Sequence, residues 1–98
     1  MKIGSYQLLY HPDIASKDLP HIDRKQQRKI QKAIESRLFQ DPFQYGAPLR
    51  RSLKGYRKLR VGDYRVIYEL VESQIRIYAI GHRKEVYARK LRDWKEVL

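Results

Sequence analysis

Cysteine is absent from this 98-residue chain, which excludes disulfides, thiolate nucleophiles and thiolate metal ligands. Only His11, His21 and His82 remain as soft ligands, too scattered to suggest a structural zinc. No run approaches the roughly 20 apolar residues that span a bilayer, and no basic-then-apolar segment opens the chain. Neither insertion nor export is therefore expected, and a cytoplasmic location without membrane contact is the default. Glycine-rich phosphate loops, His-Glu-x-x-His and Gly-x-Ser-x-Gly are also missing, so enzymes built on those motifs are set aside and no cofactor or metal is expected. Acidic residues are few: 11 Asp and Glu face 22 Lys and Arg, a net charge of +11. On so small a body that surplus attracts polyanions and speeds encounter with them, and nucleic acid is the obvious polyanion.

What is present suits a folded protein. A 42% hydrophobic and 34% charged composition is that of a globular chain, and residues 1–98 are expected to form a single domain with a modest core. Ile3 to Tyr10, rich in aromatic and branched residues, predicts a first strand that ends at His11-Pro12-Asp13. A short helix from Ile14 to Leu19 is stopped by Pro20. Asp23 can cap the next helix, with Gln26 three residues on, and Ile30, Ala33, Ile34 and Leu38 recur at helical spacing until Asp41-Pro42 ends it. Its other positions form a wet, basic face.

Pro42 to Gly55 predicts a loop carrying Arg50, Arg51 and Lys54. Three strands follow: Tyr56 to Val61, Tyr64 to Leu70, and Gln74 to Ile80, separated by Gly62-Asp63 and Glu72-Ser73. Alternation puts Leu59, Val61, Val66, Tyr68, Ile75, Ile77 and Ala79 on an apolar face, and Tyr56, Lys58, Arg60, Arg65 and Arg76 on the other. Helices would cover the first face and leave the charged one open. Gly81 should end the last strand, and Glu85 to Trp94 should form a final short helix. The order β, α, α, β, β, β, α describes an α+β domain: a small, antiparallel-rich sheet with two N-terminal helices packed on one face and a short C-terminal helix.

A site that cuts RNA with the substrate's own 2′-hydroxyl needs a base, an acid and cations around the phosphate. Arginine suits the last task because its planar fork holds two phosphate oxygens and stays charged. Lys58, Arg65 and Arg83 lie on neighbouring strands or just past a strand end, with Tyr87 one helical turn beyond Arg83, so they can converge. Each also has a plainer reading. Lys58, Arg65 and Arg76 suit solvated charges, His82 a strand end, and Tyr87 core filling. The residues alone support a basic α+β domain that binds RNA and leave the site open.

Residues 53 to 68, LKGYRKLRVGDYRVIY, resemble the RelE toxin family, and Gly81-His82-Arg83-Lys84-Glu85-Val86-Tyr87 looks like the family's second signature. The resemblance covers nearly the whole chain and implies a microbial-RNase-like sheet in one toxin domain over residues 1–98. It implies the toxin component of a type II toxin–antitoxin system, a metal-independent endoribonuclease that cuts mRNA on the ribosome. Attack of the 2′-hydroxyl would leave a 2′,3′-cyclic phosphate. Carried over, Arg65 and Arg83 contact the phosphate or leaving group, Lys58 is a base or charge stabiliser, and Tyr87 stacks on or orients a base. His82 is the reserve acid or base, since imidazole titrates near neutrality. Arg50, Arg51, Lys54, Tyr56, Arg60 and Lys84 complete the expected RNA-binding surface. Where some active members carry a second Lys, this chain has Tyr56, which is no cation and can stack instead. The implied partner is a short, acidic, partly disordered antitoxin, in a hetero-oligomeric complex that binds DNA through it. Two alternatives share the fold: a ParE-like toxin that inhibits DNA gyrase by protein binding, and an inactive interaction module.

Overall fold

A computed structural model describes residues 2–3, 6–42, 46–48 and 55–86. Six strands, β1 (Lys2–Ile3), β2 (Tyr6–Tyr10), β3 (Gly46–Pro48), β4 (Tyr56–Val61), β5 (Tyr64–Val71) and β6 (Gln74–His82), form one sheet. Their order is β1-β2-β6-β5-β4-β3. Neighbours are antiparallel except β2 and β6, which run parallel with Tyr10 beside Ile77. The parallel pair requires a crossover, and the helical segments supply it. A wide turn, Ile14–Asp18, closes when Leu19 N–H donates to the Ile14 carbonyl, and a tighter turn, Leu19–His21, carries Pro20 near its start where no N–H is needed. Helix α1 (Arg24–Ala33) follows and is prolonged by a second wide turn, Ile34–Leu38.

Asp23 caps α1 as the sequence predicts, its carboxylate accepting from Gln26 N–H at 2.9 Å. The Gln27 amide donates to the Leu19 and Ile22 carbonyls, tying α1 to the segment before it. Ile30, Ala33, Ile34 and Leu38 are buried together with Leu59, Val61, Val66, Tyr68, Ile75 and Ile77, so the helices cover one face of the sheet. The outer side of α1 presents Arg24, Lys25, Arg28, Lys29 and Lys32 without a single acidic residue. Like charges at i,i+4 cost an isolated helix a few tenths of a kcal/mol each, so packing on the sheet holds this helix together.

Four differences from the sequence reading have physical causes. The N-terminal strand is two strands, paired antiparallel with Ile3 beside Tyr6. Gly46–Pro48 is a strand rather than loop: it lies at the sheet edge, where a proline costs no ladder bond, with Ala47 beside Lys58. The register between β5 and β6 shifts at Ile67/Tyr68, because Ile67 faces Ala79 while Tyr68 faces Ile77, leaving Tyr78 as the extra residue of a β-bulge. Past that bulge the alternation inverts: Ala79 joins Ile67 and Val86 on the far face, and Ile80 enters the core in its place. Finally, the last strand runs through Gly81 to His82. The helix expected over residues 85–94 falls mostly outside the described residues. The far face is thus not wholly open, since Ile67, Ala79 and Val86 are all buried there.

Past Ile77, β6 has lost its β2 neighbour, and the Ile80 N–H on that side needs an acceptor. Asp18, itself buried, supplies it: its Oδ2 accepts from Ile80 N–H at 2.9 Å. Nearby, a groove of about 450 Å³ opens between the end of β2 and α1, lined by Leu8, Tyr10, Ile14, Leu19, Ile30 and Ile34 among others. Although 41% of Tyr10 stays exposed, which makes the effect on stability small, burial of the rest of it and then the neighbouring Glu35 charge raise its hydroxyl from the ordinary 10.0 to about 12. A raised phenol keeps its proton in the folded chain after the unfolded chain has lost it. The stability it contributes is therefore complete below about pH 10 and is lost as pH climbs towards 12. In denaturant titrations at successive pH values, Tyr10→Phe should show a shallower fall than the parent across that window. Identical slopes would contradict this placement of Tyr10. Among the described residues, no helix is long and apolar enough to cross a membrane.

Candidate nucleic-acid interface

Face and register decide which cations meet. On the sheet face away from the helices, β4 contributes Tyr56, Lys58 and Arg60, and β5 contributes Arg65, Ile67 and Glu69. Arg60 lies directly opposite Arg65, and Lys58 lies opposite Ile67. Lys58 is therefore a diagonal neighbour of Arg65, with backbones about 7 to 8 Å apart, within reach of long side chains. Two guanidinium-bearing residues at one ladder position repel, a cost that an anion laid between them would relieve.

Arg65 is only 6% exposed. Its Nη1 donates to the Gly62 carbonyl at 2.9 Å and the Tyr64 carbonyl at 2.8 Å, tying the side chain to the turn between β4 and β5. Gly62 takes the positive φ of 59° that this two-residue turn requires. Such anchoring fixes the guanidinium in place, as a phosphate contact needs, and makes Arg65 a structural residue as well. Arg83 follows β6. Its backbone N–H donates to the Asp63 carbonyl at 2.8 Å, placing it at the Arg60–Arg65 end of the face, and its Nε lies 3.9 Å from Asp63 Oδ1. Half of that side chain is exposed.

Tyr56 meets Tyr78 edge-on, with ring centroids 5.1 Å apart, and packs against Ile67, Ala79 and Val86. The Tyr78 hydroxyl donates to Glu69 Oε1 at 2.9 Å. Burial, then the hydrogen bond and charge of Glu69, push that phenol far above its ordinary range, so Tyr78 is a neutral donor. Glu69 and Tyr78 were not among the residues read from the sequence. Tyr78 shares the parity of Arg76, so alternation alone puts it on this face; the bulge leaves it there as the extra residue and brings Ala79 beside it.

His82 is not brought to this group. It stacks edge-on against Tyr64 with centroids 5.9 Å apart, and both line a cavity of about 200 Å³ with Asp18, His21, Ile22 and Glu85 on the helix side. The same bulge that moves Ala79 outwards turns His82 to the helix side. Lys84 is exposed, its backbone N–H donating to His82 Nδ1 at 3.2 Å. Tyr87, Arg50, Arg51 and Lys54 lie outside the described residues. Among those described, no group of three or more His, Asp or Glu could hold a metal ion.

The fold and this face define a basic α+β domain with a cationic sheet face, and comparison with known proteins places it. Residues 8–87 match the model of the ParE toxin of the type II toxin–antitoxin system parDE. Toxin RelE of Mycobacterium tuberculosis is 32% identical over 74 residues, spanning 72% of this chain and 76% of the relative. A chain of the toxin–antitoxin complex RelBE2 from the same organism superposes with a TM-score of 0.72 at 26% identity, covering 80% of this chain and 98% of the other. YafQ from Escherichia coli shares the fold at 23% identity and a TM-score of 0.56, over 84% and 98%. The chain belongs to the RelE/ParE superfamily and is a toxin of a type II toxin–antitoxin system.

Proposed function

We propose that this toxin is an mRNA endoribonuclease that acts on the ribosome, with Lys58, Arg60, Arg65 and Arg83 holding the scissile phosphate. The observation that carries this reading is the register: Arg60 opposite Arg65, with Lys58 one diagonal away, gathers cations at one end of the face, where a bound anion would offset their repulsion. Tyr87, carried over from the resemblance, would stack on a base. The substrate's 2′-hydroxyl attacks the phosphorus and leaves a 2′,3′-cyclic phosphate, a reaction that needs alignment more than a protein nucleophile. His82 does not enter, since it lies on the other face.

The partner we propose is an acidic, amphipathic antitoxin, disordered when free. The net charge of +11 favours it, and the groove, mostly apolar but lined also by Gln27, Gln31 and Glu35, offers such a segment apolar burial, with Arg24, Arg28 and Lys32 on the exposed side of α1 for charge pairing.

The second reading is a toxin that disables DNA gyrase by protein binding. The ParE description of the matched family favours it, and the turn-anchoring bonds of Arg65 would serve a purely structural arginine equally well. Expression of the chain alone separates the two. Growth arrest accompanied by 5′-hydroxyl mRNA ends inside reading frames is the expected result. Arrest with intact mRNA and relaxed plasmid would favour the gyrase reading.

A further inference from the structure

The proposed reaction also needs a proton acceptor, a task for which a carboxylate is better suited than a cation. Arginine does not give up its proton in proteins, and an unperturbed lysine is a poor acceptor at pH 7. His82, the obvious imidazole, is on the wrong face. Among the described residues, one carboxylate occupies a strand position on the cationic face: Glu69.

Its placement is specific. Glu69 lies directly opposite Tyr56, the position where the family resemblance leads one to expect a further lysine. Lys58, opposite Ile67, is diagonal to Arg65 on one side and to Glu69 on the other, so Glu69 stands one row beyond Lys58, about 13 Å along β5 from Arg65, where a nucleotide adjoining the phosphate would lie. The Tyr78 hydroxyl holds one Glu69 oxygen at 2.9 Å, and Tyr78 is braced edge-on by Tyr56. Arg76 faces Glu69 from β6 and Lys58 lies on its diagonal, so the carboxylate sits among cations, and an oriented carboxylate is what a proton acceptor requires.

We propose that Glu69 is the general base of the cleavage, held in position by Tyr78. As the 2′-oxygen bonds to phosphorus, its proton passes to Glu69. The bond between phosphorus and the 5′-oxygen breaks, the 5′-oxygen takes a proton from water, and Glu69 returns its proton to solvent. Tyr78 touches no substrate and is a positioning residue.

This assignment rests on the nuclease reading, and the test keeps the two apart. Single-turnover cleavage of mRNA on programmed ribosomes is followed against pH for the parent, Glu69→Gln, Glu69→Asp and Tyr78→Phe, with a thermal melt of each. Glutamine keeps the size of the side chain and can still accept from Tyr78, but cannot take the proton. Glu69→Gln should lose on the order of 10²-fold or more in rate and the acidic limb of the profile, while Glu69→Asp keeps that limb at a reduced rate. Tyr78→Phe should lose roughly 10-fold in the cleavage step with the same half-saturating ribosome concentration. A parent that cleaves, with Glu69→Gln matching its rate and pH profile, overturns the assignment of Glu69. If Glu69→Gln fails to fold, Tyr78→Phe decides: an unchanged rate overturns the proposal. A parent that cleaves nothing overturns the nuclease reading itself.

Discussion

Gly46→Ala should lower the stability of the protein by about 3 kcal/mol or more, enough to move the melting temperature of a chain this size by roughly 10 to 25 °C. A Cβ at Gly46 would overlap the hydroxyl end of the Tyr68 ring. That ring has nowhere to go: Tyr68 is fully buried and its hydroxyl donates to the Pro42 carbonyl at 2.6 Å. Arg57 adds a constraint, its Nη2 donating to the Gly46 carbonyl at 2.7 Å. Denaturant midpoints would measure the effect, with Gly55→Ala as the control. Gly55 has φ +97° but open space around it, so only the backbone cost of about 1 kcal/mol is expected there. Tyr68→Phe should partly rescue Gly46→Ala, because it removes the hydroxyl that the new methyl meets. A Gly46→Ala midpoint no lower than that of Gly55→Ala would contradict the packing described.

The second large effect is on cleavage. Arg83→Ala and Lys58→Ala should each lower the rate by about 10²-fold, near 2.7 kcal/mol, the loss typical of one preorganised charge on a transition state. Arg83 should cost almost no stability, because its ion pair with Asp63 is long and exposed, worth less than about 1 kcal/mol. Arg65→Ala behaves differently. Losing two charge-assisted bonds to the turn should cost about 2 to 3 kcal/mol of stability in addition to the rate. Rates per folded molecule, taken beside melts of the same samples, separate the two contributions. Wild-type rates for Arg83→Ala and Lys58→Ala would show these charges to be mere surface.

Much of this arrangement is written in local patterns. The 3.6-residue spacing of Ile30, Ala33, Ile34 and Leu38 found the buried side of the helix, and strict alternation found the core side of β4 and β5 from Leu59 to Tyr68. Those rules assume an unbroken period, and β6 breaks it. The bulge at Tyr78 moved Ala79 to the far face and turned His82 to the helix side. Gly46 and Pro48 were read as loop residues because strand propensity takes no account of position, and at a sheet edge a proline costs nothing. The burial of Arg65 was equally hidden: its partners are backbone carbonyls, which every residue carries.

What the cationic face does to RNA separates a nuclease from a gyrase inhibitor. The direct measurement incubates purified toxin with one mRNA in two forms, naked and engaged on translating ribosomes, and maps the ends produced while gyrase supercoiling is assayed in parallel. Codon-phased cuts with 2′,3′-cyclic phosphate ends on the ribosome, negligible cutting of naked RNA and uninhibited gyrase are predicted. Inhibited gyrase with intact mRNA in both forms would contradict the nuclease reading.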